Sequence, residues 1–330
     1  MRLLPVLLLL LLLPSTSTLS SSPVGRLLKS QVKSSSWAGV RLTKQFQRAA
    51  SSLYPSPTPV QSSSIPSIVA GEDVQITAPT GTGKTAAFTL PLLQSISLSR
   101  PADFDPENPL THRTASLLIL SPTRELTLQT TTTLTSLAAK ANLPLTVRPI
   151  HGGVSIQPTL QTLQYGCDAI VATPGRLLDV VAKNGITLEG VEYLVLDEAD
   201  RLLAGDFLAE TEKVISNIKN PKLQVVCASA TFSGSTAVRV NNLLKRGFKK
   251  VDTDNAVTPN IEFTTFRVES GRKGAYLKRV LAEQKDEAGL ALVFVATKKD
   301  SDKVAQSLKE AGLVAESLNG DLSMGARISR

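Results

Sequence analysis

The run Ala78-Pro79-Thr80-Gly81-Thr82-Gly83-Lys84-Thr85 gathers two glycines, a lysine and several hydroxyls into eight consecutive residues. Glycines let the backbone turn its N–H groups inward around an anion, and a helix opening at this point adds the favourable end of its dipole. Such a loop suits a chain of phosphates, with Lys84 on the outer phosphates and the Thr85 hydroxyl on a divalent cation. A second cluster, Asp197-Glu198-Ala199-Asp200, follows the apolar run Tyr193 to Leu196. A carboxylate at a strand end, here Asp197, can hold the hydration shell of Mg²⁺, and the adjacent Glu198 can orient and deprotonate an attacking water. Strand-end acids also serve as plain helix caps; it is the phosphate loop earlier in the chain that turns this pair toward phosphoryl chemistry.

To act together, the two clusters must leave strands at the same carboxyl edge of a sheet, where ligands collect in open α/β architectures. The pattern supplies such strands. Short apolar runs at Val74 to Ala78, Ser116 to Ser121, Leu145 to Ile150, Ala169 to Ala172, Tyr193 to Leu196 and Leu223 to Ala228 alternate with amphipathic stretches. The latter include Ala86 to Ser97, Arg124 to Lys140 and Ser233 to Lys245. Continuous Val, Ile and Leu runs joined by crossover helices predict an α/β fold, a doubly wound parallel sheet covered on both faces. The rhythm breaks at 249–260, which reads as an interdomain linker, and then restarts with Ile261 to Val268, Leu290 to Ala296 and Val314 to Leu318. The expected division is therefore a leader over 1–36, a phosphate-binding domain over 37–248, the linker, and a second domain over 261–330. A polar loop is expected from Arg100 to Arg113.

With Asp197 to Asp200 spelling D-E-A-D after the phosphate loop, the chain from about Trp37 onward resembles the DEAD-box RNA helicases of superfamily 2. Pro122-Thr123-Arg124-Glu125-Leu126, Gly152-Gly153, Thr173-Pro174-Gly175-Arg176 and Ser229-Ala230-Thr231 match further family motifs in order and spacing. The resemblance implies a RecA-like ATP-binding domain followed by part of a second one, with ATP and Mg²⁺ as cofactors. It assigns ATP contacts to Ala78, Thr80, Gly81, Thr82, Gly83, Lys84 and Thr85, catalysis to Glu198, Lys84 and Asp197, and the metal to Thr85 and Asp197. Pro57-Thr58-Pro59-Val60-Gln61 is similar to the family's adenine-reading segment. The Gln61 amide carries a donor and an acceptor that complement the adenine edge, favouring ATP over GTP. Tyr54 lies where the family sets an aromatic ring against the base, and Trp37 where it has an upstream aromatic. Phe46, on an amphipathic helix, reads as core.

The resemblance also implies RNA as partner, held by Thr123, Arg124, Gly153, Thr173 and Arg176 through phosphate and ribose. Such contacts carry no base sequence, and the 2′-hydroxyl separates RNA from DNA. Asp200, Ser229 and Thr231 are the implied link between the nucleotide and RNA sites. His151 reads as structural, and His112 falls in the polar loop.

Net charge is +8, yet no acid precedes Glu72 while seven Lys and Arg do, leaving 29 basic against 28 acidic residues beyond. The basic excess therefore belongs to the leader and is no argument for nucleic acid. Leu3 to Leu13 follows Arg2 as an apolar run too short for a comfortable membrane span, and Ser20 to Arg48 is Ser-rich, basic and free of acids. In series these match a signal peptide and a transit peptide, an address to a plastid, with a mitochondrial presequence as the competitor. No stable membrane association of the mature chain is expected. Cys167 and Cys227 show no CxxC spacing and read as small apolar fillers in a reducing compartment.

The second domain opens as the family's does, with Leu292-Val293-Phe294-Val295, then Leu318-Asn319-Gly320-Asp321-Leu322-Ser323 and Arg327, while Met324 stands where the family has Gln. No stretch matches the later motifs that bring an arginine finger, a group worth roughly 10³ to 10⁵ in rate. The expectation is a fragment of an ATP-dependent RNA helicase that remodels or opens short RNA duplexes. Two alternatives stand beside it: a weakly catalytic ATP- and RNA-binding module, and a DNA translocase.

Overall fold

Seven short strands, β1 (Val74–Thr77), β2 (Leu117–Leu120), β3 (Val147–Ile150), β4 (Ala169–Ala172), β5 (Tyr193–Asp197), β6 (Gln224–Ser229) and β7 (Lys249–Asp252), lie side by side in one sheet. Their order is β3-β4-β2-β5-β6-β1-β7, and every pairing is parallel. The computed structural model describes residues 10–12, 37–99, 115–253, 264–283, 290–322 and 325–326. The chain divides into two units, one of 33–258 and one of 1–32 with 259–330. The expected polar loop and His112 lie outside the described residues.

The inner strands of the sheet are buried on both faces because they alternate their side chains between two apolar layers. Leu117 and Ile119 join one core with Phe46, Ile65, Phe88 and Leu134, whereas Leu118 and Leu120 join the other with Leu177, Val180, Val214 and Val240. The first layer comes from α1 (Lys44–Leu53), α2 (Pro59–Val69), α3 (Lys84–Ser99) and α4 (Arg124–Lys140). The second comes from α5 (Ile156–Leu163), α6 (Pro174–Ala182), the single turn α7 (Ala199–Leu202), α8 (Leu208–Ser216) and α9 (Gly234–Leu243). Each fully buried Leu or Phe here contributes roughly 2 kcal/mol of transfer free energy. Cys167 and Cys227 form no disulfide and are buried in the second layer, and burial pushes the Cys227 thiol up, which keeps it neutral.

The sheet's two edges are blunted in different ways. β3 carries Pro149, which cannot donate to a ladder, and β7 carries the exposed pair Lys249 and Lys250. β7 corrects the linker placed at 249–260: its first four residues pair with β1, Lys249 opposite Val74 and Asp252 opposite Thr77. A polar, half-exposed edge strand lacks the apolar run by which the inner strands are read. Buried Asp73 ties the entry to the sheet, accepting from Val225 N at 3.0 Å and from Lys245 N at 2.8 Å.

In the other unit, α10 (Lys273–Glu283), β8 (Ala291–Val293) and α11 (Lys298–Glu310) are formed, and Thr297 caps α11 by accepting from Asp300 N. Leu10–Leu12, from the segment read as leader, pairs antiparallel with β8. Two expected strands are not regular: 264–268 and Val314 to Leu318 form no ladder, and 261–263 lie outside the described residues. Val314 and Leu318 are exposed, and among the described residues no strand pairs with this segment. Among the described residues, no helix is long and apolar enough to cross a membrane.

Candidate functional site

The parallel register brings the chemistry to one edge. β6 lies between β1 and β5, with Thr77 opposite Ser229 and Ala228 opposite Asp197. Neighbouring strands are about 4.8 Å apart, so the loop after β1 and the acid at the end of β5 stand roughly 10 Å from each other, room for a triphosphate and a hydrated cation. Ala78 N donates to Ser229 O at 3.1 Å and fixes the root of the loop.

Within the loop, Gly81 and Gly83 adopt positive φ (79° and 92°), and the Thr82 hydroxyl donates to Pro79 O at 2.7 Å. A Cβ on Gly83 would lie 2.4 Å from Nε2 of Gln61, so only glycine fits there. Lys84 opens α3 and donates to Ala78 O at 2.6 Å and Pro79 O at 2.9 Å. A phosphate oxygen would replace these carbonyls as its partner. Burial lowers the Lys84 pKa, while the charges of Asp197, Glu198 and Asp200 draw it back up, which puts the lysine and the acidic cluster in one electrostatic site.

Asp197 is buried, and its carboxyl is pushed up to about 6 by burial first and by the Glu198 charge second, against Lys84 and the N–H of Glu198. A buried acid short of positive charge is the donor a divalent cation would complete, and Thr85, on the first turn of α3, supplies a hydroxyl to the same edge. The residues present fit Mg²⁺. When bound, the ion would be held by Thr85 and Asp197 and would neutralise phosphate charge.

Glu198 sits in the left-handed region (φ 53°, ψ 50°), a conformation costing a non-glycine residue roughly 1–2 kcal/mol. Its N–H donates to Asp197 Oδ1 at 3.1 Å, and its Oε2 accepts from Arg201 Nη1 at 3.1 Å. Sequence reasoning missed Arg201; an i,i+3 acid–base pair straddling the turn was the available signal. Thr231 Oγ1 donates to Asp200 Oδ2 at 3.3 Å and Thr231 N to Ser229 Oγ at 3.3 Å, so the three residues form one chain from β6 to α7.

Gln61 is buried with both ends of its amide engaged. Oε1 accepts from Thr58 N at 2.9 Å and Nε2 donates to Gly83 O at 3.1 Å, leaving one lone pair and one N–H for a base. Tyr54 packs partly buried at the end of α1, and Trp37 donates its indole N–H to Tyr54 O at 3.1 Å. Trp37 is 3 % exposed, which makes it a brace under Tyr54 rather than a free ring face, and Phe46 is core.

A cavity of about 360 Å³ is lined by Arg124, Gly152, Thr173, Gly175, Arg176 and Glu210, among others. Thr123 caps α4 and Thr173 precedes Pro174 at the first position of α6. Gly153, at φ 83°, admits the Arg124 guanidinium so closely that a Cβ would lie 2.7 Å from Nη1. Arg124 also pairs with Glu125 at 2.9 Å, and Arg176 Nη2 donates to Val154 O at 2.9 Å. His151 Nδ1 lies 2.9 Å from Gly152 O in a local backbone contact. A larger cavity, about 640 Å³, lies at Gly71, Tyr193 and Gln224, at the amino ends of the strands and away from every residue above; the chemistry favours the smaller one.

The DEAD/DEAH box helicase family model matches residues 58–240, more than half of the chain. The chain belongs to the DEAD/DEAH box helicase family. It is 34 % identical over 270 residues to the ATP-dependent RNA helicase vasa of Drosophila melanogaster, covering 81 % of this chain and 39 % of vasa. It is 35 % identical over 275 residues to the ATP-dependent RNA helicase DeaD of Mycobacterium tuberculosis, covering 83 % of this chain and 46 % of that protein. This DEAD-box chain thus spans less than half the length of these relatives. The crystal structure of a DEAD box protein from the hyperthermophile Methanococcus jannaschii superposes with a TM-score of 0.56 at 28 % identity, covering 88 % of this chain and 74 % of that one. The α/β parallel sheet is the RecA-like domain of the family.

Proposed function

We propose that this chain binds ATP with Mg²⁺ and RNA, and that it supplies the nucleotide-handling part of an ATP-dependent RNA helicase that remodels or locally opens RNA duplexes. The observation that carries this is the shared edge: Thr77, at the root of the loop that holds Lys84, lies opposite Ser229, Asp197 lies opposite Ala228 on the same strand, and Asp200 connects through Thr231 to Ser229. Lys84 and the loop N–H groups bind the phosphates, Gln61 and Tyr54 the base, and Glu198 takes the proton of the attacking water. Thr123, Arg124, Gly153, Thr173 and Arg176 face the RNA backbone and read no sequence.

The test is ATP hydrolysis by the chain with and without single-stranded RNA, beside its Glu198→Gln variant. RNA-stimulated turnover lost in the variant, with ATP still bound, is the expected result. RNA binding with no turnover would leave the binding-module alternative standing, and indifference to ATP would overturn the proposal. Equal stimulation by DNA of the same sequence would favour a DNA translocase. The leader, for its part, addresses the chain to a plastid; a fluorescent fusion of residues 1–71 that enters mitochondria or stays diffuse would overturn that.

A further inference from the structure

The groove at Arg124 and Arg176 has an acid in it that the phosphate chemistry does not use. Glu210, on α8, reaches across to α6: a Cβ built on Gly175 would lie 2.8 and 2.9 Å from its two carboxylate oxygens and 3.0 Å from its Cδ. All three nearest atoms to that position belong to Glu210, although Asp179 also lines the cavity. The carboxylate therefore rests on the backbone at the start of α6, against a glycine whose missing side chain makes the approach possible. A phosphate bound at this helix start would need the same place, and two anions cannot share it without a penalty. Among the described residues, Glu210 has no hydrogen bond or ion pair that would explain the arrangement as a structural tie.

We propose that Glu210 is a charge gate on the RNA groove: its carboxylate stands in for a backbone phosphate beside Gly175 and Arg176 and restrains the affinity of this surface for polyanions. The proposal rests on the reading of this groove as the RNA surface. The gate gives the groove a requirement that a plain basic patch lacks, because a ligand must displace or outweigh an internal anion before it gains the arginines. Steady attachment to RNA is thereby weakened.

The test is fluorescence anisotropy of the full chain with a labelled oligouridylate, comparing Glu210→Gln, Glu210→Ala and the charge-matched control Glu189→Gln, whose position lies outside the groove lining. Removing one charge a few ångströms from a phosphate is expected to tighten binding about three- to tenfold at low salt. The gain should shrink above about 0.1 M salt, where the screening length falls to roughly 10 Å. The control should change affinity less than twofold. If the wild-type chain binds and both Glu210 variants match the control, the gate is wrong while the groove survives. Weaker binding in Glu210→Gln would mean that the carboxylate accepts a ribose hydroxyl, and it would also overturn the gate. If no form binds RNA, the gate and the reading of the groove fall together.

Discussion

Glu198 concentrates the tension between chemistry and stability into one residue. Its backbone is left-handed, its side chain is tied to Arg201, and its neighbour Asp197 is a buried acid. Glycine at position 198 removes the steric cost of that backbone, so Glu198→Gly is expected to stabilise the 33–258 unit by about 1 kcal/mol, a rise of roughly 2–4 °C in melting temperature, since the exposed ion pair it loses is worth little. The same variant should lose ATP turnover by at least about 100-fold. Calorimetry and a steady-state assay read the two together, and a variant that melts lower than the parent would show that the left-handed backbone is not strained. Gly83 presents the opposite case. Gly83→Ala puts a methyl 2.4 Å from Gln61 Nε2 at a positive φ, so it should displace Gln61, break its bond to Gly83 O and weaken nucleotide binding by more than tenfold. Titration with a fluorescent ATP analogue would expose an unchanged affinity if Gln61 simply yields. The lysine, the glycines and the acid pair are legible in the sequence because their chemistry is written in residue type and local spacing. Arg201 and the occupied amide of Gln61 are not, because what they do depends on a turn and on a loop that touch only after folding.

At the scale of elements, inner strands announce themselves and edges do not. Ala169 to Ala172 and Arg124 to Lys140 have the bounds the sequence suggests, since a doubly covered strand must be continuously apolar and a capped helix shows its Thr at the start. Lys249–Asp252 reads as linker because an edge strand with two outward lysines protects itself from further pairing with the very residues that hide it. Val314 to Leu318 fails in the opposite direction: it has the apolar residues of a strand, but a ladder requires a partner that composition cannot reveal. The clamp at Asp73 shows what such long-range order depends on. Asp73→Ala strands the N–H groups of Val225 and Lys245, and denaturant unfolding followed by the fluorescence of Trp37 should show a loss of roughly 2–4 kcal/mol. A loss below about 0.5 kcal/mol would mean that water reaches both groups.

Over the whole molecule the two units differ in how much they bury. The 33–258 unit has an apolar layer on each face of its sheet, whereas Leu277, Ala305 and Leu308 are the buried hydrophobic residues among the described part of the other unit. Leu290, Leu292, Phe294, Val314 and Leu318 there remain open to water. Burial is what opposes local opening, so amides in α10 and α11 should exchange with solvent far more readily than those in β2, β4 and β5. Each buried leucine is worth roughly 2 kcal/mol, and a difference of a few such groups separates protection factors by at least about 100-fold. Hydrogen exchange resolved by peptide would show this directly, and it would also show whether α11, capped by Thr297 and tied by Lys298 to Asp321, holds longer than α10. Equal protection in the two units would mean that the second is stabilised by more than its own buried side chains, and the estimate of its stability from burial would have to be abandoned.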